Sequence, residues 1–440
     1  MARYDAILIG AGHNGLVCAF YLARAGLRVK MLERRPVVGG AAVTETFHPG
    51  FRNSTASYTV SLLQPRVIAD MQLARHGYRV VPRPLANFLP LPDGRHLISG
   101  GGMAATQAQF AKFSARDAER LPAYADALDR VAGVLRDLAL RTPPGTTSLI
   151  EALSTARRIG KLDRAAQRDA IALFTRSARE FLTPWFESDA VQALFGFDAV
   201  VGNHAGPDTP GSAYVLLHHV FGEVNGVRGA WGHAIGGMGA ITQAMAAACR
   251  EAGVEIEVEA PVERVLVDGR RVAGVRLADG RELAAKRVIA NVGPKLLFGA
   301  MIDAADLDAD FRQRIASYAA GSGTLRMNVA LSALSRFAAL PEAGPHLGAG
   351  IIMAPSLDYM ERAFADSKAL GWSRAPIVEM LIPSTIDDSL APPGAHVASL
   401  FCQQFNSELP DGRSWDECRE AAADTVFDTV EAMRRASRRA

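Results

Sequence analysis

The chain has 440 residues, enough for two domains or more and a large buried core. Hydrophobic residues make up 49% and charged residues 21%, an ordinary balance for a globular protein. Lys plus Arg number 48 against 46 Asp plus Glu, so no charge excess calls for nucleic acid or an acidic partner. No run of 18 apolar residues is present, so no membrane-spanning helix is predicted. The sequence enters its first strand at once and leaves no room for a signal or transit peptide, which makes a cytoplasmic location the expectation.

An apolar run, Ala6 to Ile9, leads into Gly10-x-Gly12-x-x-Gly15. A helical segment follows, ending near Gly26, and a second strand, Arg28 to Leu32, ends on Glu33. This order spells a βαβ unit for an ADP-containing dinucleotide. Gly10 permits the turn, Gly12 lets the backbone approach a pyrophosphate, and Gly15 lets helix and strand pack closely. The helix N-terminus offers free N–H groups and a positive dipole end to the anion. Glu33 stands where an acid accepts hydrogen bonds from a ribose. Arg34 and Arg35 read as solvated surface charges ahead of a 2′-phosphate contact that would point to NADP. Gly39 and Gly40 follow after Pro36, and an unobstructed backbone there suits the longer path of a flavin dinucleotide better than a nicotinamide one.

Residues 103–140 carry apolar side chains at helical spacing, including Phe110, Leu121, Leu128 and Val131. RTPPGTTS (141–148) reads as a linker. Helical spacing resumes over 149–200, with Ile171, Phe174, Phe181, Trp185 and Phe186 as core candidates. AYVLLHHVFG (213–222) reads as a buried element, with His218 and His219 as satisfied interior histidines ahead of active-site groups. A helix with Ile241, Met245 and Cys249 on one face ends at Gly253. Strands over 254–259, 262–267, 272–277 and 287–290, with turns at Asp268-Gly269 and Asp279-Gly280, suggest a small meander. Further strands are expected at 325–331, 377–382 and 397–401.

Cys18, Cys249, Cys402 and Cys418 form no CxxC or CxxxxC pair, so a dithiol mechanism has no support. HExxH and GxSxG are absent, and no His, Cys or Glu cluster has metal-ligand spacing.

The blocks DAILIGAGHNGLVCAFYLARAG, ERRPVVGGAAVTETFHPGFRNSTASY, AYVLLHHVFGEVNGVRGAWG, GGMGAITQA and SLAPPGAHVASLFCQQFN resemble the phytoene desaturase-like flavoproteins. Within them the sequence is most similar to the family named pyridine nucleotide-disulfide oxidoreductase domain-containing protein 2. The resemblance implies an α/β fold: a Rossmann-like FAD-binding domain of the glutathione-reductase/amine-oxidase type with an inserted α+β substrate domain. It implies FAD as cofactor, held by Gly10, Ala11, Gly12, Asn14, Gly15, Glu33, Arg34, Gly40, Ala41, Val262 and Asn291. Gly40 and Ala41 would lie along the pyrophosphate–ribityl path, Val262 would meet the adenine through its backbone, and Asn291 would lie near the cofactor.

The implied division is 1–85 and 229–300 for the FAD-binding domain, the latter with the meander, and 86–228 and 301–400 for the substrate domain. Residues 401–440 would form a C-terminal helical segment. In this family the chain continues into a second glycine-rich loop and a helix whose N-terminus meets the flavin. No glycine follows Gly412 here, and Arg434, Arg435, Arg438 and Arg439 crowd the end, so a missing segment and loosened flavin binding are expected. The basic end reads as a frayed helix or a truncated reading frame ahead of a peripheral membrane contact.

The expected activity is transfer of a hydride from a substrate C–H to flavin N5, on an apolar small molecule, with no protein acid or base named. Amine oxidation and a non-catalytic FAD-binding or inactive chain stay open as alternatives. The oligomeric state stays open as well.

Overall fold

The computed structural model describes residues 4–141, 157, 160, 163–269 and 271–435. The chain forms two compact units, Met1–Val81 with His233–Ala320, and Pro82–Gly232 with Gly321–Ala440.

The first unit is built on a four-stranded parallel sheet, in the order Glu255–Glu257, Val29–Leu32, Ala6–Ile9, Val288–Ala290. Ala6 to Ile9 are all buried, as expected of a parallel strand covered on both faces. Ile7 and Ile9 share one hydrophobic cluster with Val265, Val275 and Leu277 of an antiparallel meander, Val262–Asp268, Arg271–Leu277 and Glu282–Ala284. The helices His13–Arg24 and Met238–Glu251 pack together, and the Cys249 thiol donates to the Leu16 carbonyl at 3.1 Å.

The strands expected at 254–259 and 287–290 do exist, but not in the meander. Glu255 to Glu257 pair with Lys30 to Leu32, and Val288 to Ala290 pair with Ile7 to Ile9. A period of two identifies a strand without naming its partner. The third meander strand, Glu282–Ala284, is too short to have signalled itself. The hairpin Thr44–His48/Phe51–Ser54 also went unread.

The second unit holds a six-stranded sheet in the order Thr324–Leu331, His396–Phe405, Trp372–Leu381, Gly350–Met353, Asn87–Pro90, His96–Ser99. Alternation divides its faces. Leu325, Met327, Leu400, Cys402, Met380 and Phe88 share a cluster with Ala422, Val426 and Val430 of the helix Trp415–Arg435. The opposite face pairs Arg326 with Phe401 and Phe401 with Glu379. A separate core of Tyr124, Phe186, Phe197 and Ile352 joins this sheet to the helices Ala115–Ala139, Asp189–Val200 and Leu357–Leu370. Asp117 is wholly buried there and accepts the backbone N–H groups of Glu187 and Ser188, both at 2.9 Å.

The helical stretch 103–140 is interrupted. Met103–Phe110 ends, and Ser114 caps a new helix by accepting the Asp117 N–H. Ile171 and Phe174, expected in the core, are 65% and 50% exposed among the described residues, and Phe174 stacks on exposed Tyr214 instead. Their helix, Arg164–Thr175, buries Ala166 and Leu173 on another face. The chain passes between the two compact units after residues 81, 232 and 320. Residues 401–405 complete a ten-residue strand, and the helix after it packs within the second unit. Apart from Arg141, the expected linker lies outside the described residues, as do Arg438 and Arg439. Among the described residues, no helix is long and apolar enough to cross a membrane.

Candidate functional site

The glycine turn sits between the end of strand Ala6–Ile9 and the start of helix His13–Arg24. Gly10 has φ +91°, in the left-handed region that disfavours a side chain. Its N–H donates to the Leu32 carbonyl at 2.8 Å, tying the turn to the neighbouring strand. Gly12 is the N-cap of the helix, and no side chain caps it. The first-turn N–H groups and the positive end of the helix dipole therefore belong to whatever anion approaches.

Glu33 follows the second strand directly and is 7% exposed. Its carboxylate accepts the Ala11 N–H at 2.9 Å and the Arg35 N–H at 3.0 Å. Each oxygen is thus fixed by one backbone donor and keeps further acceptor capacity. The Ala260 N–H donates to the Glu33 carbonyl at 2.9 Å, and the Glu259 N–H to the Arg35 carbonyl at 3.1 Å. That ladder brings Pro261 and Val262 beside the acid. Arg35 forms an ion pair with Glu45, which leaves exposed Arg34 as the nearer cation open to solvent.

Asn291 closes the turn from beneath. Its N–H donates to the Ile9 carbonyl at 2.8 Å, and its side-chain amide to the Gly10 carbonyl at 3.3 Å. A Cβ on Gly12 or Gly15 would stand 2.9 Å from that amide nitrogen. A Cβ on Gly15 would also stand 2.6 Å from the Gly10 carbonyl oxygen.

Gly39 and Gly40 differ in role. A Cβ on Gly39 would meet the Ala42 carbonyl at 2.5 Å and the Thr242 hydroxyl at 2.7 Å, so this glycine serves internal packing. Gly40 is exposed at φ +60°, and a Cβ there would lie 3.0 Å from the Gly12 Cα. The Gly39 N–H donates to the Ala11 carbonyl at 2.8 Å, joining the two glycine segments.

A family described as flavin containing amine oxidoreductase matches residues 15–324. A mouse protein, pyridine nucleotide-disulfide oxidoreductase domain-containing protein 2, is 38% identical over 98% of this chain and 78% of its own length. Prolycopene isomerase 2 from an Oncidium hybrid cultivar is 23% identical over 98% of this chain and 69% of its own. The chain belongs to the flavin-containing amine oxidoreductases. A redesigned putrescine oxidase triple mutant shares the fold at TM-score 0.59 and 16% identity, covering 99% of this chain and 83% of that one. The family makes this chain an FAD-dependent oxidoreductase, with a Rossmann-type domain and an inserted α+β region.

The residues present fit FAD. The uncapped helix end and the turn without Cβ atoms suit a pyrophosphate, and the braced Glu33 suits a ribose diol. Of the eleven residues read from the sequence, Gly10, Gly12, Asn14, Gly40 and Ala41 are at least partly exposed around the turn, while Ala11 and Gly15 are buried inside it. Sequence reading missed the bracing itself. No pattern announces that the Arg35 N–H fixes Glu33, or that the Thr242 hydroxyl holds the Gly39–Ala42 bend by donating to the Ala42 carbonyl at 2.8 Å.

The four cysteines are free. Burial pushes the Cys249 thiol up to about 12 and the Cys402 thiol well above its ordinary value, so neither supplies a thiolate. A cleft of about 460 Å³ in the first unit, edged by Phe20, Arg24, Gln72 and Arg75, contains none of the eleven residues. Its Arg75 and His76 both reach Glu251, at 3.5 and 3.3 Å, as surface pairs do.

Proposed function

We propose that this oxidoreductase removes a hydride from a C–H bond of a small, largely apolar molecule. Gly10, Ala11, Gly12, Asn14, Gly15, Glu33, Arg34, Gly40, Ala41, Val262 and Asn291 are the proposed holders of FAD. The observation that carries the reading is the turn at Gly10–Gly15 with Glu33 braced behind it by two backbone N–H groups.

Bound FAD supplies the hydride acceptor. The chain's own contribution is orientation. The helix end at Gly12 neutralises the pyrophosphate, Glu33 fixes the adenosine ribose, and the Gly40–Ala41 backbone receives the chain beyond the pyrophosphate. The polyene named in the prolycopene isomerase relative favours an apolar substrate body. Amine oxidation is a second reading, favoured by the family's own description.

The test is the visible spectrum of the purified chain, followed by anaerobic titration with polyenes and amines. Flavin bands that bleach with a polyene support the first reading, and bleaching with amines alone supports the second. A folded chain that takes up no flavin from added FAD refutes both.

A further inference from the structure

Asp198 stands on the helix Asp189–Val200, inside the helical half of the second unit. Its Oδ1 is 3.3 Å from Nε2 of His219, and the two side chains are 13% and 20% exposed. The pair is recessed but not sealed. His218 lies beside His219 with ring centroids 5.0 Å apart, and the Trp231 indole lies 5.5 and 5.1 Å from the two imidazoles.

Charged groups crowd the same place. Arg83 approaches Glu379 at 4.0 Å. A Cβ on Gly350 would meet Glu379, Asn87 and Arg83 at 2.7, 2.9 and 3.4 Å, so these three side chains converge over one glycine. The Arg136 guanidinium donates to the Val220 and Phe221 carbonyls and pairs with Asp129 at 3.0 Å. The Tyr124 hydroxyl, in the buried core, lies within electrostatic range of the Asp198 carboxyl. Among the described residues, Nδ1 of His218, Nδ1 of His219 and the Tyr124 hydroxyl are buried without a hydrogen-bond partner. Three buried polar atoms without a protein partner in one place are uncommon.

We propose that Asp198, His219 and His218 form a ligand site that takes the neutral hydroxyl group of an otherwise apolar molecule. The inference goes beyond the flavin reading and concerns a cluster within the second unit by itself. The site's charge supports a hydroxyl. Burial, with Glu379 adding to it, favours the protonated form of Asp198. Burial, with His218 and Arg83 adding to it, favours neutral His219, and burial does the same for His218. Arg83 and Glu379 offset each other. A site near neutrality does not compensate the desolvation of an ammonium or a carboxylate. A hydroxyl both donates and accepts, and so matches an imidazole nitrogen beside a carboxyl. The Trp231 indole supplies an apolar face beside both imidazoles.

Trp231 makes binding observable without turnover. Octan-1-ol, octane, octylamine and octanoate are titrated into the full-length protein while tryptophan emission is followed, with Trp231→Phe identifying the responding indole. The expected result is a saturable change with octan-1-ol alone, weakened roughly ten-fold in His219→Gln and Asp198→Asn through loss of hydrogen bonds. Histidine NMR signals of the wild-type protein should move with octan-1-ol, so the proposal stays testable if a variant fails to fold. Octane binding as well as octan-1-ol, or unchanged octan-1-ol affinity in both folded variants, overturns it. Flavin that never reduces while octan-1-ol still binds at Trp231 removes the oxidoreductase reading and leaves the hydroxyl site standing.

Discussion

The side-chain amide of Asn291 and the carbonyl of Gly10 meet at 3.3 Å, across 281 positions of sequence. The same amide nitrogen lies 2.9 Å from where Gly12 or Gly15 would carry a Cβ. Gly15 is held to glycine from below by the Gly10 carbonyl oxygen, 2.6 Å from where its Cβ would stand, whereas a Cβ on Gly12 would displace only the end of the Asn291 side chain.

Asn291→Ala should weaken FAD binding by about 0.5–1.5 kcal/mol, the net worth of one hydrogen bond. Asn291→Asp should weaken it more, since a carboxylate replaces a donor with negative charge beneath the turn. Equilibrium titration of apo-protein with FAD measures both. Equal affinities in wild type and Asn291→Asp contradict the clasp.

Gly15→Ala places a Cβ 2.6 Å from the Gly10 carbonyl oxygen, so it should cost about 1–3 kcal/mol of stability and reduce flavin content. Gly26→Ala meets no atom within 4 Å but sits at φ +83°. Only backbone strain of about 1–2 kcal/mol is expected there, with flavin content unchanged. Denaturant melts and the flavin-to-protein ratio separate the two cases.

Glu33→Ala removes the acceptor for the Ala11 and Arg35 N–H groups along with the proposed ribose acceptor. FAD and AMP affinity should each fall by about 1.5–3 kcal/mol, the range for a hydrogen bond to a charged group. FMN, which lacks the adenosine half, should respond far less. An equal loss for FMN and AMP assigns the acid to turn stability alone.

Burial lowers the proton affinity of His204 and His346, with Lys368 and His96 adding to the respective effects. Below about pH 6.5 the unfolded chain therefore binds more protons at these sites than the folded one, and stability falls as pH falls. His346 is 3% exposed and packs edge-on against Phe88, with centroids 4.9 Å apart. Thermal melts from pH 7.5 to 5.5 should show a declining Tm, with a shallower decline in His346→Gln. An unchanged slope in that variant places the acid sensitivity elsewhere. Asp198 acts in the opposite sense, since its raised proton affinity gives stability at low pH that is lost as pH rises.

Local chemistry was legible. Gly10, Gly12, Gly15 and Glu33 lie within one βαβ unit, where glycine spacing and short periodicities act through neighbouring residues. Partner choice was not. The strands at 255–257 and 288–290 show the same alternation as the meander strands, and only assembly places them in the parallel sheet. The six-stranded sheet joins segments from 87–99 and 324–405, which no local pattern connects. Ile171 and Phe174 kept helical spacing and still faced outward, because periodicity marks a face without saying what covers it. The amino-acid sequence by itself determined the glycine turn, since its requirements are steric and local. Tertiary structure alone decided that Asn291 lies under that turn and that Asp198 meets His219, since both contacts depend on how distant segments pack.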